Sequence, residues 1–150
     1  MKKVLIVCLG NICRSPTAEA VLRAKAKQYT VALEIDSAGT IDFHQGKLPD
    51  KRARLAGEKR GYSFEGIKSR PVKKADFEYF DYILAADEQN KNDLLAICPR
   101  EYAHKIALFL PFSGMKEEAI PDPYYAGNEG FELVLDLLES ASVGLLEEIR

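Results

Sequence analysis

The chain is poor in the residues that staple secreted or metal-bound proteins together. Three cysteines, Cys8, Cys13 and Cys98, stand among 150 residues. So sparse and odd a set does not read as a disulfide framework, and a reducing, cytoplasmic setting suits it better. His44 and His104 are isolated, and Cys8 and Cys13 lack the spacing of zinc ligands, so no metal or cofactor is expected. No segment approaches the roughly 18 apolar residues of a membrane helix, so insertion is not expected. Surplus charge is missing too. The 21 basic residues face 23 acidic ones, a formal net charge of -2, which gives no footprint for nucleic acid. Met1-Lys2-Lys3 before Val4 to Leu9 superficially resembles a signal peptide. The apolar run is too short for one, and Asn11 and Arg14 follow at once, so it reads as a buried first strand.

What is present describes one soluble domain over residues 1–150, with 47% hydrophobic and 29% charged residues. Val4-Leu5-Ile6-Val7 is a continuous apolar run, as in a strand buried on both faces. A helix is expected from about Pro16 to Tyr29, with Ser15 as its cap, Pro16 in its first turn and the acid Glu19 near its N-terminus. A strand over Val31 to Ile35 follows, closed by Ser37-Ala38-Gly39-Thr40. Asp50 to Lys59 reads as a basic, exposed helix ended by Gly61. Tyr82 to Ala86 is another strand, Glu88 to Ile97 a helix stopped by Pro99, and Lys105 to Leu110 a further strand. Pro111 to Asn128 is loop-like. From Gly130 to the end, apolar residues recur at helical spacing. Strands alternate with helices, without repeats or low-complexity linkers. The expected class is α/β: a short parallel sheet of about four strands, flanked by helices on both faces.

In such sheets ligands bind beyond the carboxyl ends of the strands. The first such end carries Cys8-Leu9-Gly10-Asn11-Ile12-Cys13-Arg14-Ser15-Pro16. A loop between a buried strand and a helix start can turn its N–H groups inward as an anion nest, and the helix adds its positive end. Gly10 and Asn11 best tolerate the left-handed backbone that a tight nest requires. Arg14, five intervening residues after Cys8, offers a planar fork for two phosphate oxygens. The field that binds a phosphate also favours the thiolate of Cys8, so the loop suits phosphoryl transfer through a cysteinyl-phosphate. It lacks the terminal Gly-Lys-Ser/Thr of a nucleotide-binding loop. Asp122 lies between prolines, where its backbone is held.

The loop, the strand before it and Ser15-Pro16-Thr17-Ala18-Glu19-Ala20 after it resemble the low-molecular-weight protein tyrosine phosphatases. Ser37-Ala38-Gly39, Phe80-Asp81-Tyr82-Ile83-Leu84 leading to Asp87-Glu88, and Pro121-Asp122-Pro123-Tyr124-Tyr125 follow in the order that family shows, over essentially the whole chain. The resemblance implies a phosphatase acting on phosphotyrosine, with Cys8 as nucleophile, Arg14 as phosphate clamp and Asp122 as general acid and then base. It implies a phosphate cradle from Leu9, Gly10, Asn11, Ile12, Cys13 and Ser15, with Ser37 as loop support; Asn11, Ser15 and Ser37 match positions that hold the loop and thiolate by hydrogen bonds, and Ser15 is placed to donate to the Cys8 sulfur and help it leave. It also implies aromatic pocket walls from Phe43, Tyr124 and Tyr125. The partners it implies are a phosphotyrosine-containing protein and a tyrosine kinase. Cys13 beside Cys8 points to redox control through a disulfide. One departure stands out. The family often has a supporting histidine a few residues before the arginine matching Arg70, and this chain has Ile67 there.

Related activities compete with that reading, and particular residues weigh against each of them. Arsenate reductases share the fold and loop but relay a disulfide through a distal cysteine pair, and only Cys98 lies beyond the loop. Phosphoarginine phosphatases typically carry a threonine before the second cysteine, where this chain has Ile12, which has no hydroxyl for a guanidinium group. A module that merely captures phosphotyrosine needs neither the thiol nor the acid.

Overall fold

The computed structural model describes residues 1–115, 119–123 and 128–150. Four strands, β1 (Lys2–Cys8), β2 (Leu33–Gly39), β3 (Tyr82–Ala85) and β4 (Ile106–Leu108), form one parallel sheet in the order β2-β1-β3-β4. Between and after them lie α1 (Arg14–Gln28), α2 (Lys51–Lys59), α3 (Lys74–Tyr79), α4 (Glu88–Ile97) and α5 (Asn128–Ile149). The α/β class with a parallel sheet and two helical layers is the one expected.

The apolar run of β1 is continuous because both sides of the strand are covered. Successive side chains point to opposite faces. Val4, Ile6 and Cys8 join a cluster with Val21 and Leu22 of α1 and Leu135 and Leu138 of α5. Leu5 and Val7 join the opposite cluster, with Phe77 of α3 and Leu94 of α4. Val4 to Val7 are at most 1% exposed, and burying each such side chain contributes roughly 1.5–3 kcal/mol. With β2 on one side and β3 on the other, the chain leaves β1 in one direction and later returns in the other. The loop after β1 therefore sits at the switch point of the sheet, where two crossovers part and leave a crevice.

Several boundaries differ from the expected ones, each for a physical reason. The second strand is Leu33–Gly39 rather than Val31 to Ile35, because its register pairs Val4 with Ile35 and Cys8 with Gly39. The Ser37-Ala38-Gly39 expected to close the strand is its last part. Val31 is instead held in the turn after α1, donating to the Ala26 carbonyl at 2.9 Å. The fourth strand keeps only Ile106–Leu108, since 3-10 turns take Arg100–Lys105 before it and Leu110–Ser113 after it. α3 was not expected, as six residues are too few to display a helical period. The helix expected over Glu88 to Ile97 matches α4, capped by Asp87, and the one expected over Asp50 to Lys59 is α2, with Asp50 as its cap rather than its first residue.

Candidate active site

The loop from Cys8 to Arg14 is curled by what grips its carbonyls. Those of Cys8 and Leu9 accept from the amides of Thr40 (3.0 Å) and Ile41 (3.1 Å), and that of Ile12 from Asp50 (2.7 Å). The Gly10 carbonyl accepts from the Ser69 hydroxyl at 2.9 Å, and the Cys13 carbonyl from the Thr17 hydroxyl at 2.6 Å. With the carbonyls turned outward into the protein, the amides face the other way. No acceptor among the described residues takes the N–H of Gly10, Asn11, Ile12 or Cys13. Such a set of unshared donors at a helix start is an anion nest.

Asn11 supplies the left-handed residue, with φ 55°. Gly10, expected to share that conformation, has no positive φ. Its small size serves a different purpose: a Cβ there would come within 2.8 Å of the His44 ring. Gly39 is glycine for a related reason, since a Cβ would stand 2.7 Å from the Leu9 carbonyl oxygen. Ser15 is not the helix cap. Cys13 holds that position without a side-chain bond, and α1 begins at Arg14.

Cys8, Leu9, Gly10, Ile12, Cys13 and Arg14 all line one cavity of about 270 Å³, closed on its other side by Ile41, Phe43, His44 and Asp122. Arg14 is 4% exposed, and a guanidinium so buried needs a partner. Its Nη1 donates to Asp87 Oδ2 at 2.6 Å and to the Ile120 carbonyl at 3.0 Å. The other oxygen of Asp87 caps α4 by accepting from the Asn90 amide at 2.8 Å. One carboxylate thus aims the arginine and starts a helix. Arg14 Nη2, on the far side of the fork, lies 3.9 Å from Asp122 Oδ2. The Asp122 side chain is half exposed at the cavity rim. Burial pushes the Cys13 thiol up to about 12, and the charges of Asp50, Cys8 and Asp122 add to the rise.

Asn11 and Ser15 lie behind the loop rather than on the cavity wall. Asn11 Nδ2 donates to Ser15 Oγ at 2.7 Å and to Ser37 Oγ at 3.1 Å, while Oδ1 accepts from the Arg70 amide at 3.0 Å. Ser15 Oγ is 3.1 Å from Cys8 Sγ. Ser37 donates to Glu19 Oε1 at 2.6 Å, and Glu19 also pairs with Arg23. Glu19 is therefore a buried partner in this network, in the second turn of α1, rather than a favourable charge at the helix start. Arg70 is itself clamped between Asp36 and Asp76, at 3.0 and 2.9 Å. Tyr124 and Tyr125, expected as pocket walls, lie outside the described residues.

The family model for low molecular weight phosphotyrosine protein phosphatases matches residues 3–150. The chain belongs to this family. Its relatives include the low molecular weight phosphotyrosine protein phosphatase of Gallus gallus. That protein is 40% identical over 152 residues, covering 99% of this chain and 96% of the relative. The structure of a protein tyrosine phosphatase from Entamoeba histolytica with Hepes in the active site superposes with a TM-score of 0.95 at 44% identity. The match covers 99% of this chain and 97% of that one. A Drosophila arginine phosphatase superposes at 0.92 with 32% identity, covering 100% and 98%.

As a member of the low molecular weight phosphatase family, the chain supports its loop without a histidine at position 67. Ile67 is buried as an apolar side chain in the core cluster of α1 and α5. The task falls to the Arg70 amide, the Ser69 hydroxyl and Glu19, none of which sequence reasoning had assigned to it. Asp87 stood in the sequence only as part of the Asp87-Glu88 match, and neither its cap on α4 nor its grip on Arg14 was assigned there. His44 and Ile41, also unassigned, are cavity residues on the stretch after β2, folded against the loop by the Thr40 and Ile41 amides. Among the described residues no helix is long and apolar enough to cross a membrane.

Proposed function

We propose that this chain hydrolyses phosphotyrosine and other aryl phosphates through a phosphate covalently held on Cys8. The observation that carries this reading is the convergence of a thiol, a buried guanidinium, a carboxyl group and unshared loop amides on one cavity of about 270 Å³. A phosphoryl group seated in the nest gives its non-bridging oxygens to the amides and to Arg14. Charge is neutralised by fixed dipoles and one cation, so the step calls on no metal. The Cys8 thiolate attacks phosphorus, a sulfur–phosphorus bond forms and the phosphorus–oxygen bond to the ring breaks. Asp122, protonated, gives its proton to the departing phenolate oxygen. Water then attacks the cysteinyl-phosphate, and Asp122 takes its proton. The sulfur–phosphorus bond breaks, releasing inorganic phosphate and the thiolate.

Phe43, 75% exposed, is a wall for the flat ring of the substrate, with Tyr124 and Tyr125 proposed opposite it. Physiological substrates are then phosphotyrosine proteins in the cytoplasm, and a tyrosine kinase is the matching partner. Oxidised Cys8 is proposed to be rescued by a disulfide to Cys13 before it reaches irreversible acids. Ile12 on the cavity wall, without a hydroxyl, favours phosphotyrosine over phosphoarginine.

The test is turnover of an aryl phosphate, a phosphotyrosine peptide, a phosphoserine peptide and phosphoarginine with chelator present. Wild type is expected to hydrolyse the first two. Cys8→Ser should abolish that activity and Asp122→Ala should slow it strongly. Turnover that survives Cys8→Ser would refute the covalent route.

A further inference from the structure

Glu19 is a buried carboxyl group that the reaction does not touch, yet it ends an unbroken chain of hydrogen bonds that starts at the reacting sulfur. The directions of those bonds can be read from the groups that have no choice. The Arg70 amide can only donate, so it fixes Asn11 Oδ1 as the acceptor, at 3.0 Å. Asn11 Nδ2 therefore spends its hydrogens on Ser15 Oγ and Ser37 Oγ. Both hydroxyls accept from Asn11 and must send their own protons elsewhere. The Ser37 proton goes to Glu19 Oε1 at 2.6 Å. The Ser15 proton has two acceptors in reach, Cys8 Sγ at 3.1 Å and the Ala38 carbonyl at 3.3 Å. A thiolate is the stronger of these, because charge-assisted bonds outweigh neutral ones.

We propose that Glu19 is a positioning residue: by accepting from Ser37 it keeps the Ser37 oxygen open to Asn11 Nδ2, so that Asn11 stays seated with the polarity the Arg70 amide imposes and the Ser15 hydroxyl points its proton at Cys8 whenever the sulfur must leave phosphorus. Remove the acceptor, and the Ser37 proton has to turn toward Asn11. The Asn11 amide then loses its fit to both serines, and Ser15 no longer holds its proton on sulfur. Two donors, Ser37 and Arg23, hold Glu19 as an acceptor. They work against burial, which raises its carboxyl above the ordinary value. Asp36 raises it further and Arg70 lowers it. In Glu19→Gln the amide oxygen would serve Arg23, leaving its NH2 group against Ser37, which inverts the bond.

This inference rests on the phosphatase reading, and its experiment separates the two. Cysteinyl-phosphate formed from p-nitrophenyl phosphate is quenched and followed by mass in wild type, Glu19→Gln, Ser37→Ala and the double variant. Competitive inhibition by inorganic phosphate is measured alongside. The expected result is a decay of the intermediate about tenfold slower in Glu19→Gln. Phosphate affinity should hold, since the loop amides and Arg14 are not bonded to Glu19. Ser37→Ala should slow decay to a similar extent, and the double variant should be no slower than Ser37→Ala, because Glu19 acts through Ser37. Wild-type decay in Glu19→Gln, or losses that multiply in the double variant, would overturn the proposal. If Glu19→Gln does not fold, Ser37→Ala decides alone: slowed decay at unchanged phosphate affinity supports the chain, and wild-type decay rejects it. Absence of any phosphate on Cys8 in wild type would instead overturn the reading beneath it.

Discussion

The two sides of the Cys8–Arg14 loop are built by opposite rules. On the buried side Asn11, Ser15, Ser37 and Glu19 are at most 2% exposed and joined in one set of hydrogen bonds. On the open side the loop amides have no acceptor among the described residues, and Phe43 is 75% exposed. The first side spends its hydrogen bonds on holding a shape. The second keeps its donors for a ligand. Preorganisation of this kind lets fixed dipoles stabilise developing charge without rearranging during the reaction.

The comparison can be broken from either side, and the open side should yield the largest effects. Cys8→Ser is expected to lower kcat by about 10⁴-fold or more, read as aryl phosphate turnover. Asp122→Ala should lower kcat by about 10²–10⁴-fold for a phenyl leaving group. The loss should shrink for leaving groups of low pKa, which need no proton; an equal loss for every leaving group would remove the acid role. Asp87→Ala leaves the buried Arg14 without its carboxylate and should cost about 3–5 kcal/mol, measured by denaturant unfolding. Unchanged stability would show that the Ile120 carbonyl suffices.

Smaller effects sharpen the contrast. The Cys13 thiol is held at about 12 against an ordinary 9.0, so the folded state keeps its proton longer than the unfolded chain does. Its contribution to stability is fully present below pH 9 and lost as pH rises toward 12. Cys13→Ser should flatten that alkaline loss in urea titrations at stepped pH; an unchanged slope would assign it to other groups. Phe43→Ala should raise KM for a phosphotyrosine peptide by a factor of several with little change in phosphate inhibition, since it touches the ring and not the nest.

The open side was far more legible in the sequence than the buried one. Cys8, Gly10, Asn11 and Arg14 lie within seven consecutive residues, and a strand run followed by a helix start places them without further information. The β1 run and the matches at α2 and α4 were legible for the same reason: an apolar run and the stops at Gly61 and Pro99 are local signals. Of the supports, Ser37 was legible only through the family resemblance, and the long-range partners were not legible at all. Glu19 meets Ser37 across 18 residues, Asn11 meets Arg70 across 59, and Arg14 meets Asp87 across 73. No local pattern encodes such a meeting; it exists only once the parallel sheet has set β2 and β3 beside β1. The same blindness explains the second strand, whose end at Gly39 is fixed by pairing with Cys8. It also explains Gly10, whose size answers to a histidine brought in from the stretch after β2.

The central claim is that phosphate passes through the sulfur of Cys8, and it can be seen directly. Wild-type protein mixed with an aryl phosphate, quenched in acid within the first turnover and digested, should yield the peptide carrying Cys8 heavier by one phosphoryl group. The added mass should map to Cys8 and be absent in Cys8→Ser. Full turnover with that peptide unmodified, under a quench that preserves a thiophosphate bond, would contradict the account.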